Sequence, residues 1–177
     1  MKWIGISGSW RKTNKEIEEK LREIVRDIIL CGDGIVSGGA LGVDYVATDE
    51  AFKHNPECDR IKIFLPTTIE KYAEHYRKHA KWGTITKEQA ESLIEQLTKI
   101  KQTRSDSLAE NPDTNFTEEN KKEMYYARNT KVVDVSDELV AFRVKTEASE
   151  SMGTADTAEK AKAKGIPVKI FFYDLTK

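Results

Sequence analysis

The sequence predicts an α/β fold: an open, mainly parallel sheet with helices on both faces and a helical insertion between the third and fourth strands. Two patterns carry that expectation. Short apolar runs alternate with longer stretches whose apolar residues recur at helical spacing, and three of the runs are followed by small-residue turns at a helix start. At 177 residues the chain is sized for one domain, 1–177, with residues 68–117 as an insertion of helices and a loop.

Trp3-Ile4-Gly5-Ile6 is a buried-strand run bounded by Ser7-Gly8-Ser9. Thr13 and Glu16 have capping-box spacing. Ile17, Leu21, Ile24, Val25 and Ile28 form the apolar stripe of the helix behind them, which Gly32 and Gly34 stop. Gly34 to Ser37 is a second strand that runs into Gly38-Gly39-Ala40-Leu41-Gly42, and a helix spans Val43 to Lys53. A third strand, Ile61 to Leu65, is halted by Pro66. Thr67 with Glu70 and Thr86 with Gln89 then mark the starts of two further helices, their stripes carried by Tyr72, Ala73, Tyr76 and by Ala90, Leu93, Leu97. Residues 102–117 are polar, contain Asn111-Pro112-Asp113, and read as a mobile loop. Helix resumes near Glu118 and runs towards Val135. Leu139 to Phe142 is a fourth strand, and Lys145 to Gly153 a polar loop. Thr154 to Lys164 is an Ala-rich helix closed by Gly165, and Val168 to Tyr173 is a fifth strand.

Composition narrows the function. No apolar run approaches the ~20 residues of a membrane span, and the first ten residues lack the pattern of a secretory signal. Cys31 and Cys58 show neither CxxC spacing nor neighbouring His, so they read as reduced thiols of a cytoplasmic protein, without a metal site. A net charge of −1 excludes adhesion to polyanions through bulk charge.

The chemistry concentrates in the three turns Ser7-Gly8-Ser9, Ser37 to Gly42, and Met152-Gly153-Thr154. In a parallel sheet such turns gather at the carboxyl edge, where glycine admits a close backbone approach and a helix N-terminus favours an anion. The expected guest carries a phosphate. Gly8, Ser9, Arg11, Ser37, Gly38, Gly39, Gly42, Asp44, Arg128, Asn129, Gly153 and Thr154 are the candidate ligand residues. Asp44 reads equally as a first-turn cap and as a ligand contact, and Arg128 as a phosphate clamp or a helix-terminal cation. Trp10 stands where a base could stack or where a turn aromatic packs. His75 and His79, four apart without a third ligand nearby, read as ordinary solvated side chains. The stretch 71–104, with Arg77, Lys78, Lys81, Lys99, Lys101 and Arg104 beside Tyr72, Tyr76 and Trp82, reads first as solvated helix faces, the cation–ring mixture of nucleic-acid proteins being the alternative.

Four blocks of these residues also resemble a known family. Gly8-Ser9, the run Ser37-Gly38-Gly39-Ala40-Leu41-Gly42-Val43-Asp44, Arg128-Asn129 with Val135-Ser136-Asp137, and Gly153-Thr154-Ala155-Asp156-Thr157-Ala158 are similar, in order, to the blocks of the DNA-processing protein A (DprA/Smf) family. The wider Rossmann-like group includes the Lonely Guy (LOG) phosphoribohydrolases and the molybdenum-cofactor carrier proteins. The chain departs from the DprA pattern at Leu41, where that family usually has Arg, at Thr48, where it has His, and at Trp10 in its GSR turn. At the position of the LOG catalytic glutamate stands Thr157, which points away from that enzymatic role.

The resemblance implies a nucleotide or nucleotide-derived ligand held by a sensor, carrier or binding module, with no catalytic residue or further cofactor assigned. Single-stranded DNA binding in the DprA manner is the alternative, and a LOG-like nucleoside-monophosphate hydrolase the third reading. Both comparison families imply a homodimer.

Overall fold

Six short strands pair in parallel in the computed structural model, which describes residues 1–148 and 151–176. The strands are β1 (Trp3–Gly8), β2 (Gly34–Ser37), β3 (Ile61–Phe64), β4 (Leu108–Ala109), β5 (Glu138–Lys145) and β6 (Val168–Asp174). The helices are α1 (Lys15–Leu30), α2 (Val43–His54), α3 (Ile69–Lys81), α4 (Lys87–Thr103), α5 (Lys121–Val135) and α6 (Met152–Lys164). This is the Rossmann-like α/β architecture that the strand–helix alternation predicts.

Spatial order is β4-β3-β2-β1-β5-β6. The chain steps outwards from β1 to β4, then returns to pair β5 on the other side of β1, with Gly8 opposite Phe142. Strand order therefore reverses between β1 and β5, and the crevice beyond their carboxyl ends is the place where this fold leaves room for a guest.

Side chains along β5 show why the sheet needs helices on both faces. Val140 and Phe142 enter the larger core with Ile17, Leu21 and Val25 of α1. Leu139 and Ala141, pointing the other way, join Val133 of α5 and Ala158 and Ala161 of α6. A strand buried on both faces has no alternation of polarity, which is why these strands read only as short apolar runs.

Three local expectations are revised. The loop expected over 102–117 contains the sixth strand, β4, whose two residues pair with Ile63 and Phe64. So short a strand leaves no apolar run to read. The loop is also tied down: Thr67 donates its hydroxyl to the Asp113 carbonyl at 2.7 Å, and Glu110 accepts from the Ile69 amide at 2.7 Å and pairs with Lys101. Thr67 is consequently buried, and its neighbour Thr68 caps α3 by accepting from the Lys71 amide. At α1 the cap is Asn14, which accepts from the Ile17 amide at 2.9 Å, while Thr13 donates to Glu18. The Thr86–Gln89 capping box forms as read, and Gly165 closes α6 in the left-handed conformation, φ 80°.

Phe142 sits fully buried where the core meets the carboxyl edge, stacked on Phe171 with ring centroids 5.1 Å apart. Phe142→Ala is expected to cost about 3–5 kcal/mol, read as a lowered urea midpoint with an unchanged slope.

Candidate functional site

At the reversal point lies a cavity of about 590 Å³, walled by the segment after β1, the end of β5 and start of α6, and one face of α5. Of the sequence-derived candidates, Gly8, Ser9, Arg11, Gly38, Asp44, Arg128, Asn129, Gly153 and Thr154 line it. Ser37, Gly39 and Gly42 do not. Gly39, at φ 65°, lies over Ile63, Leu65 and Leu97, and Gly42 lies under the Ser9–Trp10 backbone.

That division follows from topology. The turns after β1 and β5 flank the reversal, whereas the turn after β2 is one strand removed. It is also already satisfied internally. Asp44 accepts from the Gly38 and Ala40 amides at 3.1 and 3.2 Å, and Tyr76 Oη accepts from the Leu41 amide at 3.1 Å. Ser37 Oγ accepts from the Gly39 amide at 3.4 Å, and the Ser9 carbonyl takes the Val43 amide at 3.0 Å. The 37–42 turn thus shapes the cavity floor and spends its amides on the protein.

Arg128 and Asp44 form that floor's charged support. Arg128, 9% exposed, donates from a guanidinium nitrogen to the Gly38 carbonyl and from Nε to Asn129 Oδ1 at 3.0 Å. A Cβ at Gly38 would meet the guanidinium, so any larger residue there must displace Arg128 from the Gly38 carbonyl. Burial pushes the Asp44 carboxyl up to about 6, partly opposed by the Arg128 charge and by the two amides it accepts.

The third turn is built differently. Ser151, at the N-cap position of α6, accepts from the Val144 amide at 3.3 Å and donates to its carbonyl at 3.0 Å, so its side chain leaves the helix uncapped. Thr154, 2% exposed, faces the cavity, and its Oγ1 has no hydrogen-bond partner among the described residues. Among the described residues, this helix start has no side-chain cap and the Thr154 hydroxyl no partner, so their bonding capacity is unmet there. Thr157 donates to the Gly153 carbonyl at 2.9 Å, and Asp156 is held by Asn129 Nδ2 and Lys160 Nζ at 3.1 and 2.8 Å.

Several lining residues escaped the sequence reading. Lys121 and Lys122 stand one turn before Tyr125 and Tyr126 on α5, and all four line the cavity. Cation and aromatic at i, i+4 was the available signal. With Arg11 and Lys12 after β1 they make the wall basic. Trp10 also lines it, under the Arg11 guanidinium at 5.0 Å. His75 and His79 are not ordinary solvated side chains: both line the cavity, their rings 4.6 Å apart. Burial, then the neighbouring His79, hold the His75 pKa down at about 4, and His75 Nε2 lies 3.3 Å from Tyr125 Oη. Among the described residues no group of three or more His, Cys, Asp or Glu could hold a metal, and no helix is long and apolar enough to cross a membrane.

Fold and site together define a Rossmann-like α/β protein with a basic, aromatic-walled cavity at the carboxyl edge of its sheet. The sequence profile of the family described as DNA recombination-mediator protein A matches residues 1–176, and the chain belongs to that family. No curated protein sequence matches it. Among solved structures it is similar to DNA processing protein A from Helicobacter pylori, at 20% identity over 95% of this chain and 64% of that one, TM-score 0.61. DprA from Streptococcus pneumoniae matches at 14% identity over 96% of this chain and 50% of that one, TM-score 0.59. The molybdenum cofactor carrier protein of Chlamydomonas reinhardtii matches at 17% identity over 96% and 75%, TM-score 0.51. At these identities the likeness is one of fold, and this chain spans 64% and 50% of the two DprA proteins.

Two outcomes follow from the buried charges. Arg128→Leu strands the Asp44 carboxylate and the Gly38 carbonyl and is expected to cost about 3–5 kcal/mol in chemical unfolding. His75 has a folded pKa below its ordinary 6.5, so its contribution is present above that value and is lost as pH falls towards about 4. Between about pH 7 and pH 5 the wild type should lose up to about 2 kcal/mol more stability than His75→Phe. Parallel urea titrations at the two pH values measure the difference, and equal losses would refute the assignment.

Proposed function

We propose that this chain binds single-stranded DNA, with one nucleotide unit of the strand lodged in the cavity. The observation that carries the reading is the cavity's mixed wall. Arg11, Lys12, Lys121 and Lys122 supply positive charge beside the aromatic rings of Trp10, Tyr125 and Tyr126, and the start of α6, which Ser151 does not cap, shares the wall. Single-strand binding sites combine those two ingredients, because a cation neutralises each phosphate while a ring offers a sequence-tolerant stacking face. In this arrangement Gly8-Ser9 and Gly153-Thr154 receive a phosphate and Tyr125 or Tyr126 meets the base. Membership of the DNA recombination-mediator family supports the same reading, as does the single-stranded DNA binding of the Helicobacter pylori protein.

The overall charge of −1 does not oppose this. What steers a polyanion is the local field, and among the described residues the lining cations outnumber the one lining carboxylate, buried Asp44. A second reading, a free nucleotide-type ligand, draws on the cavity volume of about 590 Å³, which is of small-molecule size.

Polarisation of a labelled oligothymidylate of about 12 nucleotides separates the two. Affinity should fall with salt at a log–log slope of about −3 if the four cations each meet one phosphate, and Lys121→Ala with Lys122→Ala should flatten the slope by about 1.4. Absence of binding near 50 mM salt would refute the DNA reading. Competition by a mononucleotide as strong as that by the oligomer would favour the small-ligand reading.

A further inference from the structure

Resting on that reading, we propose that Trp82, His79 and Trp10 form a stacking track that carries the DNA strand out of the cavity and along the end of α3. Trp82 follows the last residue of α3 and is 57% exposed, a large apolar ring held in solvent. Its ring centroid lies 5.3 Å from that of His79, and His79 lies 5.3 Å from Trp10. Both His79 and Trp10 line the cavity, so the series of rings is continuous from its wall to the protein surface. The rings meet at 77° and 65°, edge to face; Arg11 and Tyr76 also pack on Trp10 and His75 on His79, so the stacking surface left for a base lies mainly on exposed Trp82.

Charge accompanies the rings. Lys78 and Lys81 lie in the last turn of α3, and Arg11 stands over Trp10 at the other end. An alternation of ring and cation along a surface is what a sugar–phosphate backbone with splayed bases requires. His79 is the polar member of the series, and its Nδ1 is buried without a hydrogen-bond partner among the described residues. Burial, then the Lys121 charge, lowers its pKa. Trp10 and Trp82 therefore belong to one binding feature, although one lies in the turn after β1 and the other in the insertion. The site then spans more than the cavity's single nucleotide.

Trp82→Ala tests the track, since an exposed ring can be removed without opening the core. Two labelled probes are used, oligothymidylates of about 2 and about 12 nucleotides. The variant should bind the longer probe about tenfold more weakly and the shorter one within about twofold of wild type, as loss of one stacked base implies. Trp82→Phe should recover most of the loss, and tryptophan emission of the wild type should be quenched more by the longer probe. Undiminished binding of the longer probe by Trp82→Ala, or equal loss for both probes, overturns the track while the cavity reading stands. Failure of the wild type to bind either probe overturns both.

Discussion

The site depends on one buried electrostatic arrangement, the Arg128 guanidinium set against the Gly38 carbonyl with the Asp44 carboxylate nearby. Arg128 comes from α5, Gly38 from the turn after β2, and Asp44 from the first turn of α2. Three elements that could slide past one another are thereby fixed in register. The cost of burying charge is offset only if each partner is satisfied. Asp44 does this by accepting two amides, and Arg128 by binding Asn129, which in turn reaches Asp156 on α6. A network of this kind does little for net stability. Its consequence is geometric, since it holds the face of α5 bearing Lys121, Lys122, Tyr125 and Tyr126 against the carboxyl edge of the sheet.

That network also explains the division of labour among the three glycine turns. A turn whose amides are spent on Asp44, Tyr76 and Ser37 is a scaffold, and its glycines serve close packing. Among the described residues, the start of α6 has no side-chain cap and the Thr154 hydroxyl no partner, and both lie at the cavity. The same sequence signal, small residues between a strand and a helix, therefore has two physical meanings. Only the identity of the hydrogen-bond partners separates them.

The departures from the DprA pattern become intelligible in this frame. Leu41 and Thr48, where that family usually carries Arg and His, are buried at 5% and 1% exposure and lie off the cavity wall. The positive charge of the wall comes instead from Arg11 and Lys12 after β1 and from Lys121 and Lys122 on α5. Trp10, the third departure, places a ring on the wall where the family has a guanidinium. A guanidinium still lies close by, because Arg11 covers that ring.

The sequence by itself determined the strand–helix alternation, most helix boundaries and the location of the three turns that contribute to the cavity, because these follow from apolar periodicity, caps and glycine. It could not show β4, whose two residues become a strand only because β3 presents a free edge. Nor could it tell that Thr67 would be buried beneath Asp113 while Thr68 took over the cap, since both threonines have the chemistry for it. The cavity itself was decided by tertiary structure. Strand order brings residues 7–12, 121–129 and 151–154 together across more than a hundred positions of sequence, and packing turns His75 and His79 from apparent surface residues into a wall. Local preference acts over a few residues, whereas a pocket is made by elements that meet only after the sheet has closed its order.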